Sequence, residues 1–156
     1  MNDTAISLFP YCDDSWNILC PAIRHLTREQ LAWCFPGNPT TIGWLLDHVA
    51  STEDYWISEI AFREALAVSE ETDMGDINAL LAKHQYIRER SKERLRSLKL
   101  TDMQRVCQVP EFADGWKPLH PATLHWVFTH VFSHETYHIG HLVILLRLQG
   151  LSEPHF

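Results

Sequence analysis

Eight residues near the end of the chain, Leu124, Val127, Val131, His134, His138, His141, Leu145 and Leu148, recur at spacings of three and four. That period draws one stripe along an α-helix and fits no strand. The sequence therefore predicts a long last helix from about Pro121 or Ala122 to Gln149, stopped by Gly150. A helix apolar on one side must bury that side against a partner, so the stripe limits the chain to packed-helix architectures. It also sets three histidines at positions otherwise held by Val and Leu.

Three further segments share the pattern. Cys12, Trp16, Leu19, Ile23 and Leu26 give a first helix with one inward face. Thr27-Arg28-Glu29-Gln30 reads as a capping box opening a short helical turn, and Pro36-Gly37-Asn38-Pro39 then breaks the chain. A second helix is predicted from Thr40 or Thr41 to about Phe62, with Ile42, Leu45, Val49, Thr52 and Trp56 inward. After the acidic link Ser69 to Asp73, a third runs from about Gly75 to Ser97, with Ile77, Leu80, His84, Ile87 and Leu98 inward. Residues 100–121 show no period and contain Pro110, Gly115, Pro118 and Pro121, which marks a long connection of the kind that often carries function. The expectation is an all-α four-helix bundle with long inter-helix connections, a single domain over residues 1–156.

Charge removes some functions. A net charge of -7, from 13 basic and 20 acidic residues, argues against nucleic acid as a partner. Seven of those basic residues lie between Lys83 and Lys99, but Glu89 and Glu93 interrupt them, and the run reads as a solvated helix face laced with local ion pairs. Cys12, Cys20, Cys34 and Cys107 fall in no CxxC spacing and read as buried thiols. No basic segment precedes an apolar run at the start, and no run approaches the ~18 apolar residues of a membrane span. The expected setting is the cytoplasm, without a membrane partner.

Six of the ten histidines fall between His120 and His141. Packing several imidazoles together without a common partner leaves nitrogens unsatisfied, a cost that a shared metal ion removes. His134 and His138 lie about 40° apart around a helix and one turn apart along it, so their rings can converge. His48 sits beside the stripe of Leu45, Val49 and Thr52 and is the natural third ligand, the alternative being a core histidine bonded to a carbonyl or to Thr52. His130 and His141 flank the pair, and either can replace a ligand or close a four-ligand site. Three neutral imidazoles leave a position for water on a divalent ion, Zn or Ni first, then Fe or Mn.

His134-Glu135-Thr136-Tyr137-His138 also satisfies the H-E-x-x-H signature of zinc proteases. The extended forms of that signature fail: Gly140 comes one position too early, and only Glu153 follows. With no strands to hold a peptide, the protease reading falls behind. Glu135 is the candidate catalytic residue, as a general base or as an acceptor behind the ligands; the bland alternative is a surface Glu in mid-helix. A single Glu-x-x-His, Glu135 to His138, argues against a di-iron bundle. Tyr55, Trp56, Trp116 and Trp126 are candidate pocket walls, the alternative being ordinary packing.

Three stretches resemble the DinB-like superfamily, in particular its DinB_2 branch of small bacterial proteins. They are Leu26 to Leu31, the segment Thr41-Ile42-Gly43-Trp44-Leu45-Leu46-Asp47-His48 continuing to Trp56, and His130 to His141 with its His-x-x-x-His before Gly140. The resemblance implies a four-helix bundle holding a divalent metal through His48, His134 and His138, often as a homodimer. It further implies either S-transfer with a low-molecular-weight thiol such as bacillithiol, mycothiol or glutathione, or metal-dependent hydrolysis of a small-molecule substrate. In the first the ion activates a thiol, in the second water. The rival expectation is a noncatalytic metal-binding or structural dimeric bundle with a filled coordination sphere.

Overall fold

The computed structural model describes residues 4–156, so the first three positions of the expected domain lie outside the described residues. Five helices appear in chain order: α1 (Asp14–Ile23), α2 (Arg28–Ala32), α3 (Ile42–Asp54), α4 (Ile77–Ser97) and α5 (Leu124–Leu148). The protein is all helical among the described residues, with three isolated β-bridges and no strand. Short 3-10 turns cover Ala5–Leu8 and Leu100–Gln104.

The helix ends are written in side chains. Thr27 accepts from the Gln30 N–H while the Gln30 side chain accepts from the Thr27 N–H, the reciprocal capping box read from the sequence. Thr41, Asp76 and Thr123 cap α3, α4 and α5 more simply, their side chains accepting from N–H groups of the first turn without a reciprocal bond. At the far end of α5, Gly150 takes φ +70°, and Leu151 and Gly150 donate to the Leu146 and Arg147 carbonyls, closing the helix in a Schellman turn.

The second helix departs from its expected form. Its last eight residues, Tyr55–Phe62, widen into a π-helix that ends on Arg63 in the left-handed region, with φ 56°. Asp54 explains where the chain goes next. Its buried carboxylate accepts from the Ser58 hydroxyl and from the Ala67 and Val68 N–H groups, so the outgoing link is tied back under the widened turn.

On α5 the buried face keeps Leu124, Val127, Val131 and Leu145 of the predicted stripe but is displaced in its middle. It runs on through Phe128, Glu135, Ile139, Leu142 and Leu146, while His134, His138 and His141 are half-buried at its edge and Leu148 is exposed. Bulky Phe128, Ile139 and Leu142 gain more from burial than an imidazole does, and they turn the helix accordingly.

The apolar core splits into two. One cluster gathers Trp56, Ile60, Leu95, Leu124, Phe128 and Val131, and the other gathers Leu19, Ile23, Ile42, Leu46, Leu80, Leu142 and Leu146. Between them along α3, α4 and α5 lies a polar layer containing His48, Glu53, His84, Arg88, His134, Glu135 and His138. No helix among the described residues is long and apolar enough to cross a membrane.

Candidate metal centre

His48 on α3 and His134 and His138 on α5 meet at the edge of that layer. Nε2 of His134 lies 3.3 Å from Nε2 of His48 and 3.0 Å from Nε2 of His138. Trp44 stacks on the His48 ring at 4.7 Å and 8°, fixing its plane. On the far side of His138, its Nδ1 stands 3.3 Å from Nδ1 of His141.

These contacts fit a shared cation better than mutual hydrogen bonds. A neutral imidazole has one N–H, so Nε2 of His134 can donate to one neighbour and cannot at the same time accept from the other. In a tetrahedral site with Zn–N bonds of about 2.0–2.1 Å, neighbouring nitrogens stand about 3.3 Å apart, and the two separations from His134 are 3.3 and 3.0 Å. The acid–base state agrees. Burial, followed by the charges of neighbouring histidines, lowers His134 and His138 to about 4, and burial lowers His48 as well. All three rings are then neutral near pH 7 and offer lone pairs. The His141 contact is compatible with this: with Nε2 of His138 on an ion, its Nδ1 carries the hydrogen and donates to Nδ1 of His141.

The sequence model of the DinB superfamily (DinB_2) matches residues 11–142. This chain belongs to the DinB superfamily. The matched span covers α3 and α5 as far as Leu142, and with them His48, His134 and His138. No curated protein matches the chain.

The remaining candidates of this DinB-superfamily chain fall on either side of the centre. His130 does not join the three: it stacks on Trp126 at 4.7 Å and 9°, with its ring 6.2 Å from that of His134. His141 reaches the outer nitrogen of His138, behind the convergence point. Glu135 is neither on the surface nor beside the three rings. It is buried and bonded to Nε2 of His84 and Nη2 of Arg88, both at 2.6 Å, in a second group with Glu53.

Trp56 is buried core, whereas Trp116 and Trp126 line a cavity of about 660 Å³ under residues 115–120. The connection that forms it is pinched at its base, where Cys107 donates to the Ala122 carbonyl and Leu124 to the Arg105 carbonyl. Tyr55 is half-buried and meets Trp56 and Phe112 edge-on, as ordinary packing does.

Two expectations about the surface are corrected. Glu89 makes the expected local pairs with Lys92 and Arg96, but Arg88, expected on that solvated basic face, is 3 % exposed, and Lys83, Lys92 and Arg94 pair across elements with Asp47, Asp13 and Glu64. Those partners lie far away in sequence, beyond the reach of a local reading. Of the four free cysteines only Cys107 is buried, Cys12 and Cys20 are half-buried, and Cys34 is exposed on the Pro-Gly break after α2.

Proposed function

We propose that this chain is a mononuclear metal-dependent enzyme acting on a small molecule. His48, His134 and His138 are its ligands for a divalent ion, Zn or Ni ahead of Fe or Mn, and a low-molecular-weight thiol is its co-substrate. One observation carries the reading: three imidazole nitrogens, from two helices, converge at the half-buried edge of the bundle. A divalent ion held by neutral donors keeps its full charge and lowers the pKa of a thiol or water that it binds.

The protein's part is positioning. Trp44 holds the His48 ring, His141 sets the tautomer of His138, and exposed Tyr137 packs edge-on against both His138 and His141. In the transfer reaction the thiol gives up its proton, its sulfur bonds to the electrophilic carbon, and the leaving group departs with the bonding pair. Hydrolysis is the same displacement with water as the nucleophile, and it is the outcome to expect if no thiol binds. Glu135 serves this site from the bundle interior, holding α5 rather than reaching the substrate.

The test is metal content after purification without added metal, for wild type and for His48→Ala and His138→Ala, followed by a thermal-shift screen of small thiols with Zn or Ni present. The expected result is about one ion per wild-type chain, its loss in both variants, and stabilisation by a thiol only when the ion is bound. Equal metal content in all three proteins rejects the ligand set. Metal binding without any thiol response removes S-transfer and leaves hydrolysis or a noncatalytic bundle.

A further inference from the structure

The polar layer has one residue that grips both ligand-bearing helices. Nε of Arg88 donates to the two Glu53 oxygens at 3.0 and 3.1 Å, and its Nη2 donates to Glu53 at 2.8 Å and to Glu135 at 2.6 Å. Glu53 lies on α3 five residues after His48, and Glu135 follows His134 directly on α5. Arg88 itself is held from the other side, its Nη1 donating to the Cys12 carbonyl at 2.7 Å and to Asp13 at 3.1 Å.

Glu53, His84 and Glu135 lie close enough to share a cation. The guanidinium already supplies that charge, engaging both oxygens of Glu53 and one of Glu135. Burial alone would raise Glu53, yet the charge and hydrogen bonds of Arg88 hold it below the usual carboxylate range. The layer is therefore a built-in ionic bridge between α3 and α5, set one helical face inward from the histidines.

We infer that Arg88 is a positioning residue of the metal centre: by bridging Glu53 and Glu135 it fixes the spacing and register of α3 and α5, and so the convergence of His48 with His134 and His138. The inference rests on the metal reading of the three histidines. It follows from tolerance. Ligand distances must hold to about ±0.2 Å, so a slip of one ångström between the two helices opens the site, and side chains on rigid helices do not correct it. A planar fork engages both oxygens of Glu53 and one of Glu135 through separate nitrogens, and the single nitrogen of an ammonium does not reproduce that geometry.

The test is Co²⁺ titration of the full chain, read by its visible absorption, with Zn²⁺ competition for affinity and thermal melting of the metal-free protein beside it. Breaking one partner alone leaves buried charge, so the central variant neutralises the bridge completely: Arg88→Met with Glu53→Gln and Glu135→Gln. That protein is expected to fold with a near-wild-type melting point and to bind Co²⁺ about 10- to 100-fold more weakly, the usual cost of losing groups behind a ligand. Arg88→Lys is expected to weaken binding as well. Leu95→Ala, in the apolar cluster around Phe128, is expected to lower the melting point and leave affinity unchanged.

A folded triple variant with wild-type affinity overturns the inference. Should the triple variant not fold, Arg88→Lys decides: unchanged affinity, or a loss no larger than Leu95→Ala shows at equal melting point, also overturns it. A wild-type protein that binds neither Co²⁺ nor Zn²⁺ removes the metal reading and this inference together. Binding abolished by His48→Ala but untouched in the Arg88 variants removes this inference alone.

Discussion

Glu135 accepts a 2.6 Å hydrogen bond from Nη2 of Arg88 in the middle of the bundle, where both side chains are almost wholly buried. This contact changes what the H-E-x-x-H motif means here, because the Glu of that motif must face the ion and water if it is to act as a base. Removing it exposes the difference. Glu135→Ala leaves the Arg88 charge short of a partner, and breaking a buried pair from one side costs about 3–5 kcal/mol. The expected outcome is a large drop in the denaturation midpoint of the metal-free protein. A variant as stable as wild type would return Glu135 to the list of candidate bases.

The histidine edge gives a pH dependence of definite sign. An unfolded histidine titrates near about 6.5, whereas burial and neighbouring imidazoles push His134 and His138 down to about 4 in the fold. Between those values the unfolded chain holds more protons than the folded one, so folding stability rises with pH there. Metal-free protein should therefore lose stability as pH falls from about 6.5 toward 4, with the contribution fully present above that window. Melting in EDTA across pH 4 to 8, against a His134→Gln/His138→Gln variant, checks it. The variant should show a flatter profile between those two values, and identical profiles would refute the lowered values.

What the sequence made legible was periodic, and what it hid was tertiary. Four of the helices follow from three-four spacing, and the caps at Thr27 and Thr41 from their hydroxyls. His48 was found because it stands beside a buried stripe. The offset on α5 was hidden because a histidine at the edge of a core and one inside it give the same pattern. Glu135 was hidden more deeply: a carboxylate in mid-helix reads as solvated, and its partner Arg88 lies 47 residues earlier. A signal existed, since His84, Arg88, Ser91 and Leu95 share one helical stripe, but the surrounding basic run masked it. The π-helical end of the second helix left no periodic trace at all.

Gly43 tests how tightly the link after that helix is seated. A Cβ built there would meet the Met74 carbonyl oxygen at 2.2 Å and its carbon at 3.2 Å, and both atoms are backbone. Backbone cannot rotate aside as a side chain does, so the first turn of α3 or the link must shift. Gly43→Ala is accordingly expected to destabilise by about 1–3 kcal/mol, although Ala is the better helix former by about 1 kcal/mol. Chemical denaturation measures the sign directly. Stabilisation would mean that residues around Met74 do not pack on α3 as described.

The four cysteines should separate by reactivity, because only the thiolate attacks and only an accessible one meets the reagent. Burial raises the thiols of Cys12, Cys20 and Cys107, with nearby Asp13 adding to the rise at Cys12 and Glu135 at Cys20. Cys34 alone is exposed, on the break between α2 and α3. A disulfide reagent near pH 7.5 should modify about one thiol per native chain quickly, and Cys34→Ser should abolish that phase while leaving the slow ones. Cys107, sealed under the pinched base of the 107–122 connection, should react only as the chain unfolds. A rapid phase that survives Cys34→Ser would place another of these thiols in solvent and contradict the packing of α1 or of that connection.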